Sequence, residues 1–243
     1  MNCHHRQKIA DYGRRLLTDR LTTGTGGNLS IALRSEGVIA ISPSGVNYNE
    51  IAPNDISLLD FSGRHLEGRR PSSEWHMHLE LYHSRPEINA VVHTHSRFAT
   101  TFALLHEALP ACHYLIGVTQ AKKIRVAPYA TFGTEKLARE TVAALGPDRC
   151  ILMANHGLLA AGEDLAEAYD IALYIEEVAE LYYRARTLGT PVLLSDSEMN
   201  EALERFRDYG RNLKTNPPKL RAEPGTDDTI QKVSGENLDP LLP

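Results

Sequence analysis

Two short apolar runs, Leu29–Leu33 and Val38–Ile41, are separated only by the four residues Arg34–Gly37. Runs of four or five residues fit strands rather than helices, and so short a link turns the chain back on itself, so the pair reads as a β-hairpin. Ile56–Asp60 reads as a third strand followed by the turn Ser62-Gly-Arg64. Ile88–His95 and Cys150–Ala154 read as buried strands, and Leu158–Ala161 continues extended after the tight turn Asn155-His-Gly157.

Helical spacing fills the gaps. Ile9, Leu16 and Leu17 precede a Gly/Thr-rich break at Thr22–Asn28. Pro71-Ser-Ser-Glu74 opens a helix that Ser72 or Ser73 can cap, with Trp75, Leu79 and Tyr82 on one apolar face. Ser96–Leu105 is a further helix. Asp164–Thr187 is the longest, capped by Asp164 and expected to turn Ala168, Ile171, Ile175, Val178 and Leu181 inward. Ser197–Tyr209 is the last. Hairpin-like strands mixed with helices predict a single α/β domain whose central sheet is mostly antiparallel or mixed, flanked by helices; a doubly wound parallel sheet fits the order less well.

Composition narrows the class of partner. With 42% apolar and 23% charged residues and a formal net charge of -5, nothing favours nucleic acid or an anionic membrane, so any phosphate must be held by a few aimed donors. No apolar run is long enough to span a bilayer, and the polar start Met1–Lys8 lacks a leader's apolar stretch, so a cytoplasmic protein is expected. Cys3, Cys112 and Cys150 are too scattered for a disulfide framework and read as ordinary thiols. The domain is expected to occupy residues 1–212. Residues 213–243 form a C-terminal tail, since Asn216–Pro243 is rich in Pro, Gly and charge and poor in large apolar side chains.

His93-Thr-His95 is the first feature with chemical content. In a strand, residues two apart share a face, so both imidazoles can reach one cation or simply be polar groups at a strand end. His156 stands at another strand exit, between Asn155 and Gly157. Three strand-end histidines match a catalytic zinc pattern that leaves a fourth position for water or substrate. Glu74, at the mouth of a helix, can be that fourth group or a base, although spacing alone does not bring the four together. His76, His78 and His83, on the helix after Glu74, read as ordinary helix residues, and His106 reads as a surface residue.

Gly24-Thr-Gly-Gly-Asn28 is neither a dinucleotide fingerprint nor a Walker A loop. It is either a plain turn or a backbone nest whose N–H groups, with the Asn28 amide, face an anion. Ser42-Pro-Ser-Gly45 and Ser72-Ser73 offer further donors, the latter at a helix N-terminus where the dipole favours phosphate. Tyr114, beside His113, is either a core residue or a proton donor.

Taken in order, Gly26-Gly-Asn-Leu-Ser30, Ser42-Pro-Ser-Gly45, Pro71-Ser-Ser-Glu-Trp75, Ala90-Val-Val-His-Thr-His95, Ala127-Pro-Tyr-Ala-Thr-Phe-Gly-Thr134 and Asn155-His-Gly157 resemble the class II aldolase/adducin-head family, nearest its L-fuculose-phosphate aldolase branch. The likeness covers roughly residues 5 to 212. It implies a zinc-dependent lyase that splits a ketose 1-phosphate reversibly into dihydroxyacetone phosphate and a short aldehyde. It implies one Zn2+ per subunit on His93, His95 and His156, with Glu74 as fourth ligand and acid/base. Phosphate would fall to Gly27, Asn28, Ser44, Gly45, Ser72 and Ser73. A C4 homotetramer is implied, with Tyr114 of a neighbouring subunit as proton donor and Phe132, Phe206 and Tyr209 walling the aldehyde end. The same family holds a methylthioribulose-phosphate dehydratase, a ribulose-phosphate 4-epimerase, oxo-acid phosphate decarboxylases and the non-catalytic adducin module. His-Thr-His-Ser-Arg97 is closer to the epimerase branch, but that branch carries aspartate where Glu74 stands.

Overall fold

The computed structural model describes residues 3–215, with side chains through Arg207. Every side-chain contact described below lies within the compact unit Met1–Arg207. Of the tail assigned to residues 213–243, residues 213–215 continue the last helix and the rest lies outside the described residues.

The helices are α1 (Cys3–Thr18), α2 (Trp75–Ser84), α3 (Arg97–Leu105), α4 (Glu135–Leu145), α5 (Leu165–Leu188) and α6 (Asp196–Thr215). The strands are β1 (Asn28–Leu33), β2 (Val38–Ile41), β3 (Ser57–Asp60), β4 (His65–Glu67), β5 (Ala90–Thr94), β6 (Val126–Ala127), β7 (Cys150–Met153) and β8 (Gly157–Gly162). They form one sheet in the order β4-β3-β2-β1-β5-β8-β7-β6. Neighbours run antiparallel except β6 and β7, which are parallel, so the sheet is mixed as expected.

Both faces of the sheet are covered. Leu29, Ala40, Val92, Leu158 and Ala160 pack in one core with residues of α1, α3 and α5. Ala32, Ile39, Val91, Ile151 and Leu159 point the other way, into a second core with α2 and α4. Side chains alternate along a strand, so the position two beyond Val91, His93, falls on the α2 face, as do Ser30 and Asn28, two and four residues before Ala32 on β1. That parity puts the polar ends of β1 and β5 beneath the start of α2.

Several expectations are refined. α5 is capped by Asp164, whose side chain accepts from the Glu167 N–H. Leu181, expected inside, is exposed, because the inward stripe of α5 runs through Ile175, Val178, Ala179 and Tyr182 instead. α2 has Glu74, not a serine, at its N-cap, and no side chain caps it; Ser72 Oγ instead accepts from the Glu74 N–H at 3.3 Å. Met77, Leu81 and Tyr82 carry its buried face, with Trp75 and Leu79 packed alongside. β4 and β6 were not legible, since β4 is a fully exposed edge and β6 has two residues; α4, capped by Thr134 with Leu137, Ala138, Thr141 and Leu145 inward, was passed over. The cysteines are free, and burial raises the Cys112 thiol to about 11 and pushes Cys150 up as well, so neither is a nucleophile at neutral pH.

Candidate active site

β1 and β5 pair so that Asn28 lies opposite His93, and β5 pairs with β8 so that His93 lies opposite Leu159. β5 ends at Thr94, and His95 follows directly. The β7–β8 hairpin turns through Asn155 and His156 beside that end. Asn155 adopts φ 54°, a left-handed conformation most residues avoid. It is held there by its N–H, which donates to the Ala103 carbonyl at 3.1 Å, and by its side-chain oxygen, 2.6 Å from His106 Nε2. His106, a surface residue as expected, steadies the turn that presents His156. A Cβ on Gly157 would stand 2.2 Å from the Thr94 carbonyl, so only glycine lets the hairpin come this close to β5.

Glu74, His93, His95 and His156 are brought together, one ligand atom from each lying within 4.8 Å of the others. Glu74 Oε2 is 3.2 Å from His93 Nε2, and Glu74 Oε1 is 3.2 Å from His156 Nε2. His93 Nε2 and His95 Nε2 are 3.0 Å apart. His93 Nδ1 is 2.8 Å from the Leu158 carbonyl, which can only accept, so that nitrogen carries the proton and Nε2 turns a lone pair into the cluster. Glu74 is 6% exposed, and its Oε1 makes no hydrogen bond despite the nearby imidazole.

The electrostatics agree. Burial raises the Glu74 carboxyl, but His93, His156 and the Asn28 amide outweigh burial and hold it below the ordinary carboxylate range. Burial, helped by His93 and His156, takes His95 down to about 3; burial and His93 take His156 down to about 4, against the pull of Glu74. A carboxylate and three imidazoles converge with a buried carboxylate oxygen unpartnered. Ligand atoms about 2 Å from a tetrahedral ion stand roughly 3.3 Å from one another, close to the separations here. The donor set, N3O with one imidazole fixed by a backbone carbonyl, fits zinc.

A cleft of about 470 Å³ opens above this cluster. Gly27, Asn28, Ser44, Gly45, Ser72 and Ser73, the residues expected to hold phosphate, line it beside Glu74, His95 and His156. Gly27 has φ 71° and a Cβ there would meet the His93 carbonyl at 2.7 Å, so the loop depends on glycine to lie against β5. Phe132 lines the rim, as does Tyr129, which sequence reasoning passed over although it sits in the same motif. Tyr114 does not line this cleft: it is 55% exposed and stacks on Phe206 at 6.2 Å between ring centres. The side chain of Tyr209 lies outside the described residues.

The fold and site define a class: an α/β sheet with a carboxylate–histidine cluster able to hold a metal ion at the floor of a cleft rich in hydroxyls and loop N–H groups. The chain matches the Class II Aldolase and Adducin N-terminal domain over residues 7–183 and belongs to that family. It is 44% identical over 207 residues to a 5-deoxy-D-ribulose 1-phosphate aldolase of Bacillus thuringiensis, spanning 85% of this chain and 97% of that one. It is 39% identical over 213 residues to a 5-methylthioribulose-1-phosphate/5-deoxyribulose-1-phosphate aldolase of Rhodospirillum rubrum, spanning 88% and 96%. A solved L-fuculose 1-phosphate aldolase superposes with a TM-score of 0.83 at 43% identity, covering 85% of this chain and 98% of its own. The chain is a lyase of the class II aldolase kind. Among the described residues no helix is long and apolar enough to cross a membrane.

Proposed function

We propose that this enzyme is a zinc-dependent aldolase that splits a 5-deoxypentulose 1-phosphate, or its 5-methylthio analogue, into dihydroxyacetone phosphate and a short aldehyde, and that it runs in both directions. The observation that carries the reading is the cluster of Glu74 with three histidines at the floor of a cleft whose walls offer anion donors. The names of the relatives support the choice of substrate.

Zinc held by His93, His95 and His156 would supply a Lewis acid that offsets charge developing on the ketose oxygens. The chain's own groups do the rest. Backbone N–H groups of the Gly27 and Gly45 loops, with Asn28, Ser44, Ser72 and Ser73, hold the phosphate end. In synthesis Glu74, already ionised, takes a proton from the hydroxymethyl carbon of dihydroxyacetone phosphate. The electron pair left on that carbon attacks the aldehyde carbon to form the C3–C4 bond, and Tyr114 donates a proton to the aldehyde oxygen, which becomes the C4 hydroxyl. Cleavage reverses each transfer. Phe132 and Phe206, with Tyr209, shelter the apolar tail of the aldehyde.

We assign this chemistry to the domain over residues 1–212 and to a homotetramer in which Tyr114 of one subunit completes the site of the next. Exposed Leu104, Leu105, Tyr174, Leu181 and Tyr183 supply the apolar surface that subunit contacts require. The test is a coupled assay for dihydroxyacetone phosphate on a panel of ketose 1-phosphates, with the bound metal quantified. 5-Deoxyribulose 1-phosphate is expected to give dihydroxyacetone phosphate and acetaldehyde in equal amounts. Consumption of the methylthio substrate with loss of water and no triose phosphate would replace the aldolase reading with a dehydratase.

A further inference from the structure

Beneath Glu74, between α2 and the sheet, four polar side chains stand in a row that ends on it. Tyr82 Oη is 2.6 Å from Ser30 Oγ, and Ser30 Oγ is 2.6 Å from His78 Nδ1. His78 Nε2 is 2.5 Å from Asn28 Oδ1, and Asn28 Nδ2 donates to Glu74 Oε2 at 3.0 Å. Ser30 and His78 are 0% exposed, Tyr82 1% and Asn28 3%. Neither His78, Tyr82 nor Ser30 lines the cleft.

The direction of these bonds follows from the end that touches Glu74. An ionised carboxylate only accepts, so the Asn28 NH2 faces it and the Asn28 carbonyl faces His78. That carbonyl needs a donor, so His78 carries its proton on Nε2. Nδ1 is then an acceptor and takes the Ser30 hydroxyl proton, and Ser30 in turn accepts from Tyr82. Every N–H and O–H in the row points toward Glu74. Reversing the row would set the Asn28 carbonyl against the carboxylate, two acceptors facing each other at hydrogen-bond distance. Bonds aligned head to tail polarise one another, and in a buried site each is stronger than in water.

We propose that His78 is a positioning residue for the aldol reaction: through Asn28 it fixes the carboxylate of Glu74 at the cluster while presenting the second Asn28 N–H to the ligand in the cleft. This rests on the assignment of Glu74 as the group that moves the C3 proton. A neutral imidazole suits the task better than a cation. Burial drives His78 down to about 3, with His93 adding to the effect and Glu74 opposing it, so it stays uncharged. It therefore orients Glu74 with dipoles and leaves the charge of the carboxylate available as a base; a buried lysine or arginine would pin that charge and quench it. A purely structural core does not need such a row, since apolar side chains of the same shape would serve nearly as well. The row ends on Glu74 instead.

The test is a double-mutant cycle in the full-length, metal-loaded enzyme. His78→Phe keeps a ring and removes both polar atoms. It is expected to lower kcat by roughly 10- to 100-fold, the scale for loss of a partner that orients a site group, with bound metal unchanged. The exchange of the C3 proton of dihydroxyacetone phosphate with solvent, which reads the Glu74 step alone, should fall in parallel. His78→Gln, whose amide N–H can reach Asn28, should restore most of the loss. In a Glu74→Gln background the same His78→Phe change should cost less than about twofold, because its effect runs through Glu74. An equal loss in both backgrounds, or wild-type proton exchange in His78→Phe, overturns the proposal. If His78→Phe fails to fold, Ser30→Ala removes only the hydroxyl behind the imidazole; it should give a smaller loss with the same non-additivity, and an additive loss overturns the proposal equally. Wild-type turnover in Glu74→Gln alone would sink the acid/base assignment and this inference with it. An inactive Glu74→Gln combined with an additive His78→Phe sinks this inference only.

Discussion

The floor of the cleft and its rim are made in opposite ways. On the floor, Glu74 and His93 are 6% and 0% exposed, and each is held from more than one direction: His93 by the Leu158 carbonyl, Glu74 by Asn28, and His156 by a hairpin that His106 braces. On the rim, Phe132 is 68% exposed and Tyr129 58%, while Tyr114, away from this cleft, is 55% exposed, and among the described residues no polar contact fixes its hydroxyl. The chain therefore over-determines the carboxylate–histidine cluster and leaves the rim of the cleft open. Groups that must hold a small ion within tenths of an ångström need a rigid shell, whereas apolar walls act through the area they cover and can come from another chain.

The largest expected effect breaks the floor. His93→Ala, His95→Ala or His156→Ala should abolish bound zinc and aldol cleavage together, read by metal analysis and the triose-phosphate assay, while Phe132→Ala should keep its metal. Full activity in a chelated, metal-free sample would undo the contrast.

Next comes the shared rim. Tyr114→Phe should cut turnover by roughly 10² or more, the usual scale for a lost general acid, with zinc content intact. Mixed assemblies of Tyr114→Phe and Glu74→Gln subunits, each nearly inactive alone, should regain part of the activity, because some interfaces then carry one intact copy of each group. No recovery in verified mixed assemblies would place both groups within one chain.

A smaller effect separates the two ends by ligand. Ser72→Ala, in the anion-lined half of the cleft, should raise KM for the ketose phosphate by roughly 10-fold, the loss of one hydrogen bond to a charged group, and leave the KM for free acetaldehyde in synthesis nearly unchanged.

Phe132→Ala should do the reverse and least of all. At about 25 cal/mol per Å², part of one exposed ring is worth a few-fold in KM for (methylthio)acetaldehyde and less for glycolaldehyde. Equal shifts for both aldehydes would remove Phe132 from the apolar wall.

Much of this was legible before folding. The hairpin Leu29–Ile41, the strand into His93-Thr-His95, the tight turn at His156 and the long helix capped by Asp164 follow from local rules of alternation, turn chemistry and capping, which short stretches of chain obey by themselves. The edge strand β4 and the two-residue β6 were not legible, because one has no inward face and the other is too short to show alternation; helix α4 was passed over although Leu137, Ala138, Thr141 and Leu145 stand at helical spacing behind the Thr134 cap.

The sequence by itself determined which side chains carry chemistry, and the tertiary structure decided which of them meet. Glu74 reaches His93 only because β1 pairs with both β2 and β5 and sets Asn28 opposite His93 under the first turn of α2. His78 read as an ordinary helix residue, since nothing in its own neighbourhood of the chain differs from a surface histidine. Its meaning comes from Ser30 and Asn28, 48 and 50 residues away, which strand parity turns toward it. Periodicity is encoded locally and survives in the bare sequence. The convergence of a buried carboxylate, three imidazoles and a row of hydrogen bonds is a matter of distances across a sheet, which only the packed layers fix.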